Sequence, residues 1–285
     1  MKIIQTPAEM QSQAIAWKTE GLKIALVPTM GCLHAGHLSL MQRAVENADR
    51  VIVSIFVNPM QFGPNEDFDA YPRQFQTDCD LAGKEGVDVI FCPNTTEMYP
   101  DGFQTEVRVK TLTQGMCGAK RPGHFDGVAT VVSKLLHLTC SDIAIFGEKD
   151  FQQLAVIKQM VRDLNFPVTI FGAPIIRESD GLAMSSRNKY LRSEMRQQAL
   201  CLWRSIQVAK EIVARAQQAV AAETIIEATE KIVAEAGGAL EYAVVVNELS
   251  LQTEVLVGSN SVLAIAVKIG GTVRLIDNAR LCPVK

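Results

Sequence analysis

The first 175 residues alternate between short apolar segments and longer segments in which apolar residues recur with helical spacing. Strands are predicted over 23–27, 51–57, 87–91, 106–110, 143–146 and 168–171, the fourth as an edge strand. Helices are predicted over 7–18, 38–48, 74–84, 128–138 and 151–165. Strands this apolar are typical of a parallel sheet with helices on both faces. We therefore predict an α/β fold, with a doubly wound, Rossmann-like parallel sheet.

The pattern changes after Gly181. Two helices are predicted over 193–217 and 222–236, followed by three strands over 241–246, 262–267 and 272–276. This order predicts a smaller α+β domain at the C-terminal end. We place the domain boundary between residues 177 and 178, giving domains of 1–177 and 178–285.

Composition narrows the classes of partner and compartment. The 285 residues are 48% hydrophobic and 21% charged, with a net charge of −3, which argues against nucleic acid and anionic membranes as partners. The seven cysteines include no CxxC pair, and their odd number argues against a disulfide framework. No apolar segment has the length of a signal peptide or a membrane span. We expect a cytoplasmic protein that binds small molecules.

One short motif stands between the strand over 23–27 and the helix over 38–48. It reads His34-Ala35-Gly36-His37, so two imidazoles fall at the carboxyl end of a strand and at the start of a helix. Backbone N–H groups and the helix dipole make such a place favourable for anions. The three-residue spacing keeps both rings on one side, and Gly36 permits a ligand close to the backbone. A zinc site is less favoured, because no second pair of ligands has the required spacing.

Other polar residues also follow predicted strands. Gln61, the pair Lys149 and Asp150, and the sequence Ser185-Ser186-Arg187 each come after one. Because parallel strands end at the same edge of a sheet, we expect these groups to converge on one crevice. Their inventory suits a polyphosphate, with the Lys149 and Arg187 side chains on phosphate oxygens and the Asp150 carboxylate on ribose hydroxyls. For Gln61 and Gln153, simple solvation remains the alternative to substrate binding.

Seven segments, in order, resemble one family. They are 27–31 (VPTMG), 34–37 (HAGH), 56–62 (FVNPMQF), 71–73 (YPR), 121–127 (RPGHFDG), 147–150 (GEKD) and 180–188 (DGLAMSSRN). Together they resemble the pantothenate synthetase family of pantoate–β-alanine ligases, within the HIGH-motif nucleotidylyltransferase superfamily. The resemblance covers the whole chain.

The resemblance implies a two-step, AMP-forming ligation in the biosynthesis of coenzyme A precursors. Pantoate carboxylate attacks the α-phosphorus of ATP and expels pyrophosphate, and the amine of β-alanine then attacks the pantoyl adenylate. Such chemistry relies on positioning and charge stabilisation rather than on a protein nucleophile. The resemblance also implies Mg²⁺ and a homodimer. The first domain would bind nucleotide and pantoate, and the second would close over the site.

The resemblance assigns roles residue by residue. The catalytic set would be His34 and His37 on the ATP phosphates, with Lys149, Ser185, Ser186 and Arg187 on the triphosphate and departing pyrophosphate. The ATP site would further include Met30, Gly147, Asp150, Ile176 and Met184, with Gly147 and Asp150 at the ribose. Pantoate would be held by Gln61 and Gln153, with Met30 lining the site. Tyr71, Arg121 and His124 would contribute to the pocket or a lid, and Asp78, with Thr77 beside it, would approach Mg²⁺.

Two other functions are consistent with the same residues. A nucleotidylyltransferase that stops at a nucleotidyl product could use the HxGH motif and the Ser-Ser-Arg sequence. A non-catalytic module that senses ATP could use them too, although its acid-binding residues would then serve no purpose. Pyrophosphate release that depends on pantoate, with AMP appearing only after β-alanine is added, distinguishes the ligase from both.

Overall fold

The computed structural model describes residues 1–64 and 66–282 and contains nine strands and ten α-helices in that part of the chain. The strands are β1 (Lys2–Ile4), β2 (Ile24–Thr29), β3 (Arg50–Ile55), β4 (Val89–Phe91), β5 (Ile143–Gly147), β6 (Thr169–Ala173), β7 (Ala239–Asn247), β8 (Ser261–Ile269) and β9 (Val273–Arg280). The helices are α1 (Pro7–Thr19), α2 (Ala35–Asn47), α3 (Phe75–Lys84), α4 (Thr95–Met98), α5 (Met116–Lys120), α6 (His124–Thr139), α7 (Phe151–Asp163), α8 (Ser193–Ala199), α9 (Cys201–Arg215) and α10 (Ala222–Glu235). Short 3₁₀ helices span Pro59–Gln61 and Ser186–Tyr190.

The first six strands form one parallel sheet in the order β1-β4-β3-β2-β5-β6. Ala25 and Val27 of β2 pack on α2 and α3, whereas α1 and α6 pack together and also contact β2. Because side chains alternate between the two faces of a strand, the helices lie on both faces of the sheet. The predicted doubly wound parallel sheet is confirmed.

Three aspartates accept backbone hydrogen bonds at the amino ends of the central strands. Asp49, Asp88 and Asp142 accept N–H groups from Lys23, Val51 and Ile24, each at 2.8 Å. The N–H groups that enter the sheet therefore have partners. The carboxyl ends of the same strands are then available for ligand-binding residues.

The chain divides into two compact units. The first comprises Met1–Thr111, Arg121–Glu148 and Val156–Pro174, and the second comprises Leu112–Lys120, Lys149–Ala155 and the chain from Ile175 onward. In the second unit the antiparallel sheet β7-β8-β9 shares a core with α9 and α10. The small C-terminal α+β arrangement is as the sequence predicts.

Several predicted elements differ from those observed. Residues 106–110 form no strand, because the N–H of Val107 is bonded to the Thr130 hydroxyl of α6 at 2.9 Å rather than to a neighbouring strand. The helix predicted to begin at residue 128 begins at His124, and residues Met116–Lys120 form a further short helix. The single helix predicted over 193–217 is two helices separated at Leu200. Among the described residues, no helix is long and apolar enough to cross a membrane.

Candidate active site

The strand order of the parallel sheet reverses between β2 and β5. From β2 the chain moves outward through β3 and β4, whereas β5 leads to β6 on the other side. Ligands of open α/β sheets bind outside the carboxyl ends of the strands at such a switch point. Here β2 leads into the HxGH loop and β5 ends at Gly147. The fold therefore puts the HxGH motif and Gly147 at its natural binding crevice.

The two histidines cap the start of α2 and each other. The Nδ1 atom of His34 accepts the N–H of Gly36 at 3.2 Å, and that of His37 accepts the N–H of His34 at 3.3 Å. The ring centroids lie 4.0 Å apart. A neutral imidazole whose Nδ1 accepts carries its proton on Nε2. Both rings are thus fixed in the tautomer that presents an Nε2–H donor, which is suited to an anionic oxygen.

Asp78, on α3, lies beneath the loop that leads to these histidines. The residue is only 1% exposed, and its carboxylate accepts the N–H groups of Cys32 and Leu33, each at 2.8 Å. The side chain of Gln74 donates a third hydrogen bond at 3.3 Å. Asp78 is therefore engaged with the protein backbone, and a metal ion bound here would have to compete with these bonds.

Gln61 follows β3, and its side chain lies beside the carboxyl end of β2, the strand that leads into the HxGH loop. Its side-chain oxygen accepts from Asn58 at 3.1 Å, and its amide nitrogen contacts the sulfur of Met30 at 3.3 Å. The Tyr99 hydroxyl donates to Asn58 in turn, at 2.8 Å. The structure thus brings together two predicted substrate-binding residues, Met30 and Gln61, and fixes the orientation of the Gln61 amide.

Arg121 and His124 hold the backbone of the same segment. The Nη1 of Arg121 donates to Nε2 of His124 at 3.0 Å, so the His124 ring carries its proton on Nδ1, which donates to the carbonyl of Gln61 at 2.8 Å. Arg121 also forms a two-pronged ion pair with Glu66. Burial acts to raise the pKa of Glu66, but the hydrogen bonds and charge of Arg121 are the main causes that lower that pKa below its ordinary value. Tyr71 is buried against the Phe62 ring.

In the second unit, Lys149 is bonded to the segment that precedes Ser185. Its ammonium donates to the carbonyl of Met184 at 3.0 Å, and the N–H of Met184 is bonded to Ile176 at 2.9 Å. The backbone carbonyl of Lys149 accepts from Asn278 at 2.9 Å. The structure therefore brings together three of the predicted ATP-binding residues, Lys149, Ile176 and Met184.

An ion pair lies in the segment that precedes the Ser-Ser-Arg sequence. Arg177 makes a bidentate pair with Asp277, at 2.7 and 3.0 Å, and its guanidinium stacks 4.1 Å from the Trp203 ring. Burial of Asp277 raises the pKa of its carboxyl group despite that pairing. Ser185 then caps the 3₁₀ turn Ser186–Tyr190 by accepting the N–H of Arg187 at 3.3 Å. The turn fixes the backbone that carries the three polar side chains.

The two neighbouring glutamines of α7 have different surroundings. Gln152 is buried, and its amide bonds the Cys117 N–H and the Leu112 and Gly115 carbonyls at 2.8 to 2.9 Å. Gln153 is only half-buried, and Asp150 is exposed. Gln152 is therefore structural, whereas the side chain of Gln153 is partly exposed to solvent.

Sequence reasoning missed several residues that support the site. Asn58, Glu66, Tyr99 and Asp277 were not assigned roles, although Asn58 lies within one of the seven resembling segments. Their partners are 3 to 100 positions away in the chain, as for Asn58 with Gln61 and Asp277 with Arg177. Only the fold reveals such pairs.

Metal ligands are sparse among the side chains of the site. No group of three or more His, Cys, Asp or Glu side chains in the described ranges could hold a metal ion. Mg²⁺ is commonly bound through one or two carboxylates and substrate phosphates rather than by a protein cage. The residues present fit that mode and not a protein-only site.

Comparisons with known proteins bear on the identity of the whole chain. A family model described as Pantoate-beta-alanine ligase matches residues 2–280. The chain is 53% identical to the pantothenate synthetase of Desulfotalea psychrophila (strain LSv54 / DSM 12343) over 284 residues, 99% of each chain. It is 50% identical to that of Sulfurihydrogenibium sp. (strain YO3AOP1) over 281 residues, 98% of this chain and 99% of the relative.

Solved structures agree in fold. The pantothenate synthetase from Thermus thermophilus superposes with a TM-score of 0.92 at 40% identity, covering 99% of this chain and 100% of that one. The pantoate-beta-alanine ligase from Francisella tularensis, complexed with beta-gamma ATP and beta-alanine, gives 0.80 at 36% identity, covering 99% and 98%. A family match over nearly the full length, with half of all residues identical in the relatives, leads to one conclusion: this chain belongs to the pantoate–β-alanine ligase family.

Proposed function

We propose that this chain condenses pantoate with β-alanine at the expense of ATP, through a pantoyl adenylate, and that the site residues named above carry out the reaction. The family membership supports the overall reaction, as does the Francisella tularensis relative that was solved with beta-gamma ATP and beta-alanine. The observation that carries the residue assignment is the reciprocal capping of His34 and His37 at the start of α2.

The first step needs stabilisation of negative charge on the departing pyrophosphate. The Nε2–H groups of His34 and His37 donate to phosphate oxygens, and the helix start adds its partial positive charge. Because backbone N–H groups hold both rings in place, little reorganisation is needed as the charge develops. The histidines therefore act as donors fixed in advance.

The remaining residues assigned to the triphosphate are cationic and hydroxyl groups. Lys149, Ser185, Ser186 and Arg187 bind the triphosphate and pyrophosphate oxygens, as charged and hydroxyl donors do elsewhere. Ile176 and Met184 contact the nucleotide. Gly147 and Asp150 lie at the ribose, and a Cβ added at Gly147 would meet no described heavy atom within 4 Å. Packing does not require glycine there, which supports a role in ligand approach.

Pantoate is bound through its hydroxyl and carboxylate oxygens by Gln61 and Gln153. The contacts of Gln61 with Asn58 and Met30 favour one orientation of its amide, so the donor and acceptor ends are defined before substrate arrives. The bound carboxylate is then in position to attack the α-phosphorus. Positioning of this kind replaces a protein nucleophile.

The second step needs space for an amine beside the acyl phosphate. Arg121, His124 and Tyr71 line the pocket, with the Arg121–His124 pair fixing the Gln61 carbonyl. The amine of β-alanine attacks the acyl carbon, and AMP departs. Exclusion of water protects the adenylate meanwhile.

Mg²⁺ would neutralise charge on the triphosphate when bound, as hard cations do. Phosphate oxygens would supply most of its ligands, because both oxygens of Asp78, the carboxylate that the resemblance assigns to Mg²⁺, already accept backbone N–H groups.

We also propose a cytoplasmic homodimer. The odd number of cysteines and the lack of a CxxC pair argue against a disulfide framework, which supports a reducing compartment. Sedimentation at several protein concentrations measures the assembly state. A monomer at all concentrations contradicts the dimer.

The test follows each half-reaction separately. Exchange of labelled pyrophosphate into ATP should require pantoate but not β-alanine, and AMP with pantothenate should appear only when β-alanine is added. Exchange without pantoate would favour a nucleotidylyltransferase instead. Binding of ATP in calorimetry without turnover would favour a sensing module.

A further inference from the structure

We propose that Asp78 is a positioning residue, which acts on both histidines of the HxGH motif through the backbone of residues 31–33. This inference rests on the proposed function for the consequence in catalysis, but not for the geometry. Asp78 projects from α3, and its two carboxylate oxygens each accept one of two successive N–H groups, from Cys32 and Leu33 at 2.8 Å. One side chain thereby fixes the direction of two consecutive peptide units.

The loop needs such an anchor because its backbone conformation is unusual. Gly31 has a φ of +80° and Cys32, a residue with a side chain, has a φ of +52°. Conformations of this kind persist when surrounding contacts hold them. Successive N–H groups in a turn form a concave site for an anion, and the Asp78 carboxylate occupies that concavity. The loop conformation therefore depends on this carboxylate.

Packing leaves little freedom at the same point. A Cβ added at Gly31 would lie 3.0 Å from Oδ2 of Asp78 and 3.1 Å from Cγ2 of Ile55. The N–H of Gly31 is bonded to the Thr29 hydroxyl at 3.2 Å, and that hydroxyl donates to the Ser54 carbonyl at 2.7 Å. Asp78 thus completes a set of buried contacts that fixes the loop against β2 and β3.

The histidines are the next residues in the same path. Leu33 precedes His34, whose N–H donates to Nδ1 of His37, while Nδ1 of His34 accepts from Gly36. If the peptide units at 32 and 33 rotate, the N–H of His34 turns away from His37, and the tautomer of that ring is no longer fixed. Asp78 therefore acts on the Nε2–H donor of His37 through the backbone, because both of its own carboxylate oxygens accept backbone N–H groups.

The test replaces Asp78 with asparagine. Asp78→Asn keeps the shape but puts an N–H₂ group in place of one acceptor oxygen, so one backbone N–H of the loop faces a donor. The matched control is Asp80→Asn, the same change on the same helix at an exposed carboxylate. We expect Asp78→Asn to lower kcat about 10- to 100-fold, the range found when a residue that orients a functional group is lost, with the pantoate KM changed less. Asp80→Asn should match wild type.

Two measurements report directly on the loop and on the histidine rings, and neither requires catalytic activity. Nitrogen chemical shifts should show wild-type His34 and His37 as Nε2–H tautomers, and they should show mixed tautomers for His37 in Asp78→Asn. Amide hydrogen exchange at Cys32 and Leu33 should accelerate in that variant and not in Asp80→Asn. Unchanged tautomers and exchange in Asp78→Asn overturn the proposal. Absence of ligation by wild type, with these shifts as expected, overturns the proposed function alone.

Two further variants separate positioning from other roles. In a His37→Ala background, Asp78→Asn should reduce kcat by a factor several-fold smaller than in wild type, because the effect of Asp78 passes through the His37 ring. An equal reduction in kcat in both backgrounds argues against that route. If excess Mg²⁺ restores Asp78→Asn, Asp78 is a metal ligand and the proposal is wrong. If Asp78→Asn does not fold, Asp78→Glu replaces it in the same tautomer and exchange experiments, because glutamate keeps the charge and both acceptor oxygens. We expect altered tautomers in Asp78→Glu, and unaltered tautomers would contradict the proposal.

Discussion

The ammonium of Lys149 donates a hydrogen bond to the Met184 carbonyl at 3.0 Å. A carbonyl satisfies one of the three ammonium N–H groups and leaves the positive charge uncompensated by that contact. We expect Lys149→Ala to reduce kcat by about 10²- to 10³-fold, as when one preorganised donor to a transition state is removed. Steady-state kinetics measure it, with the exposed Lys158→Ala as control. A loss below about tenfold would make Lys149 a surface charge.

The neighbours Gln152 and Gln153 offer a second comparison at this scale. Gln153→Ala should raise the pantoate KM more than it lowers kcat, because it removes a ground-state hydrogen bond. Gln152→Ala should instead lower the free energy of unfolding by about 1 to 3 kcal/mol, since it leaves the Cys117 N–H and two carbonyls without their partner. Pantoate titrations and denaturant unfolding measure the two effects. The opposite pattern would mean that Gln152 binds pantoate and that Gln153 is structural.

At the scale of elements, α6 passes very close to the 3₁₀ turn that carries Gln61. A Cβ added at Gly127 would overlap the Met60 carbonyl oxygen and would lie 2.6 Å from the Gln61 nitrogen. Both are backbone atoms, so the turn itself must move to accept any side chain. The absence of a side chain at Gly127 therefore determines where Gln61 lies.

We expect Gly127→Ala to weaken pantoate binding and to cost about 1 to 3 kcal/mol of unfolding free energy, as overpacked sites do. The control is Gly83→Ala, also within a helix, where the nearest atom to the added Cβ is the terminal methyl of Met1 at 3.8 Å. That change should be neutral or stabilising by up to about 1 kcal/mol. Calorimetric pantoate titration and chemical denaturation measure both. Unaltered pantoate binding in Gly127→Ala would mean that the turn does not position the substrate.

For the whole molecule, pH changes stability through acidic groups whose pKa values shift in opposite directions on folding. Burial acts to raise the pKa values of Glu66, Asp142 and Asp180, but their cationic partners, Arg121, Lys18 and Arg196, help to lower them below ordinary values. Such groups bind protons less readily in the folded state, so they stabilise it above the unfolded pKa and lose that contribution as pH falls. Asp277 has a raised pKa because it is buried, and its contribution falls as pH rises instead.

The Glu66 contribution can be measured by itself. Glu66→Gln should flatten the acid side of the stability profile, because the wild-type contribution is complete above about pH 4.5, the ordinary pKa, and is lost as pH falls through the lowered one. Denaturant unfolding at a series of pH values measures this, with exposed Glu46→Gln as the control. Equal acid limbs for Glu66→Gln and wild type would mean that the ion pair with Arg121 adds no pH-dependent stability.

The sequence by itself determined the fold class and the reaction. Apolar periodicity distinguishes buried parallel strands from amphipathic helices, and the seven ordered segments identify a ligase that forms an amide bond, because both signals are local in the chain. The HxGH motif at a strand-to-helix turn could be read in the same way. The failed strand at 106–110 marks the limit, since pairing depends on what lies beside a segment.

Only the tertiary structure decided how the site residues are held. The bond of Asp78 to the Cys32 amide spans 46 positions, and that of Arg177 to Asp277 spans 100. Nothing in the local sequence distinguishes a carboxylate that accepts backbone N–H groups from one that approaches a metal ion. Hydrogen bonds depend on distances and angles of a few ångströms and degrees, and the folded chain alone sets these between residues remote in sequence.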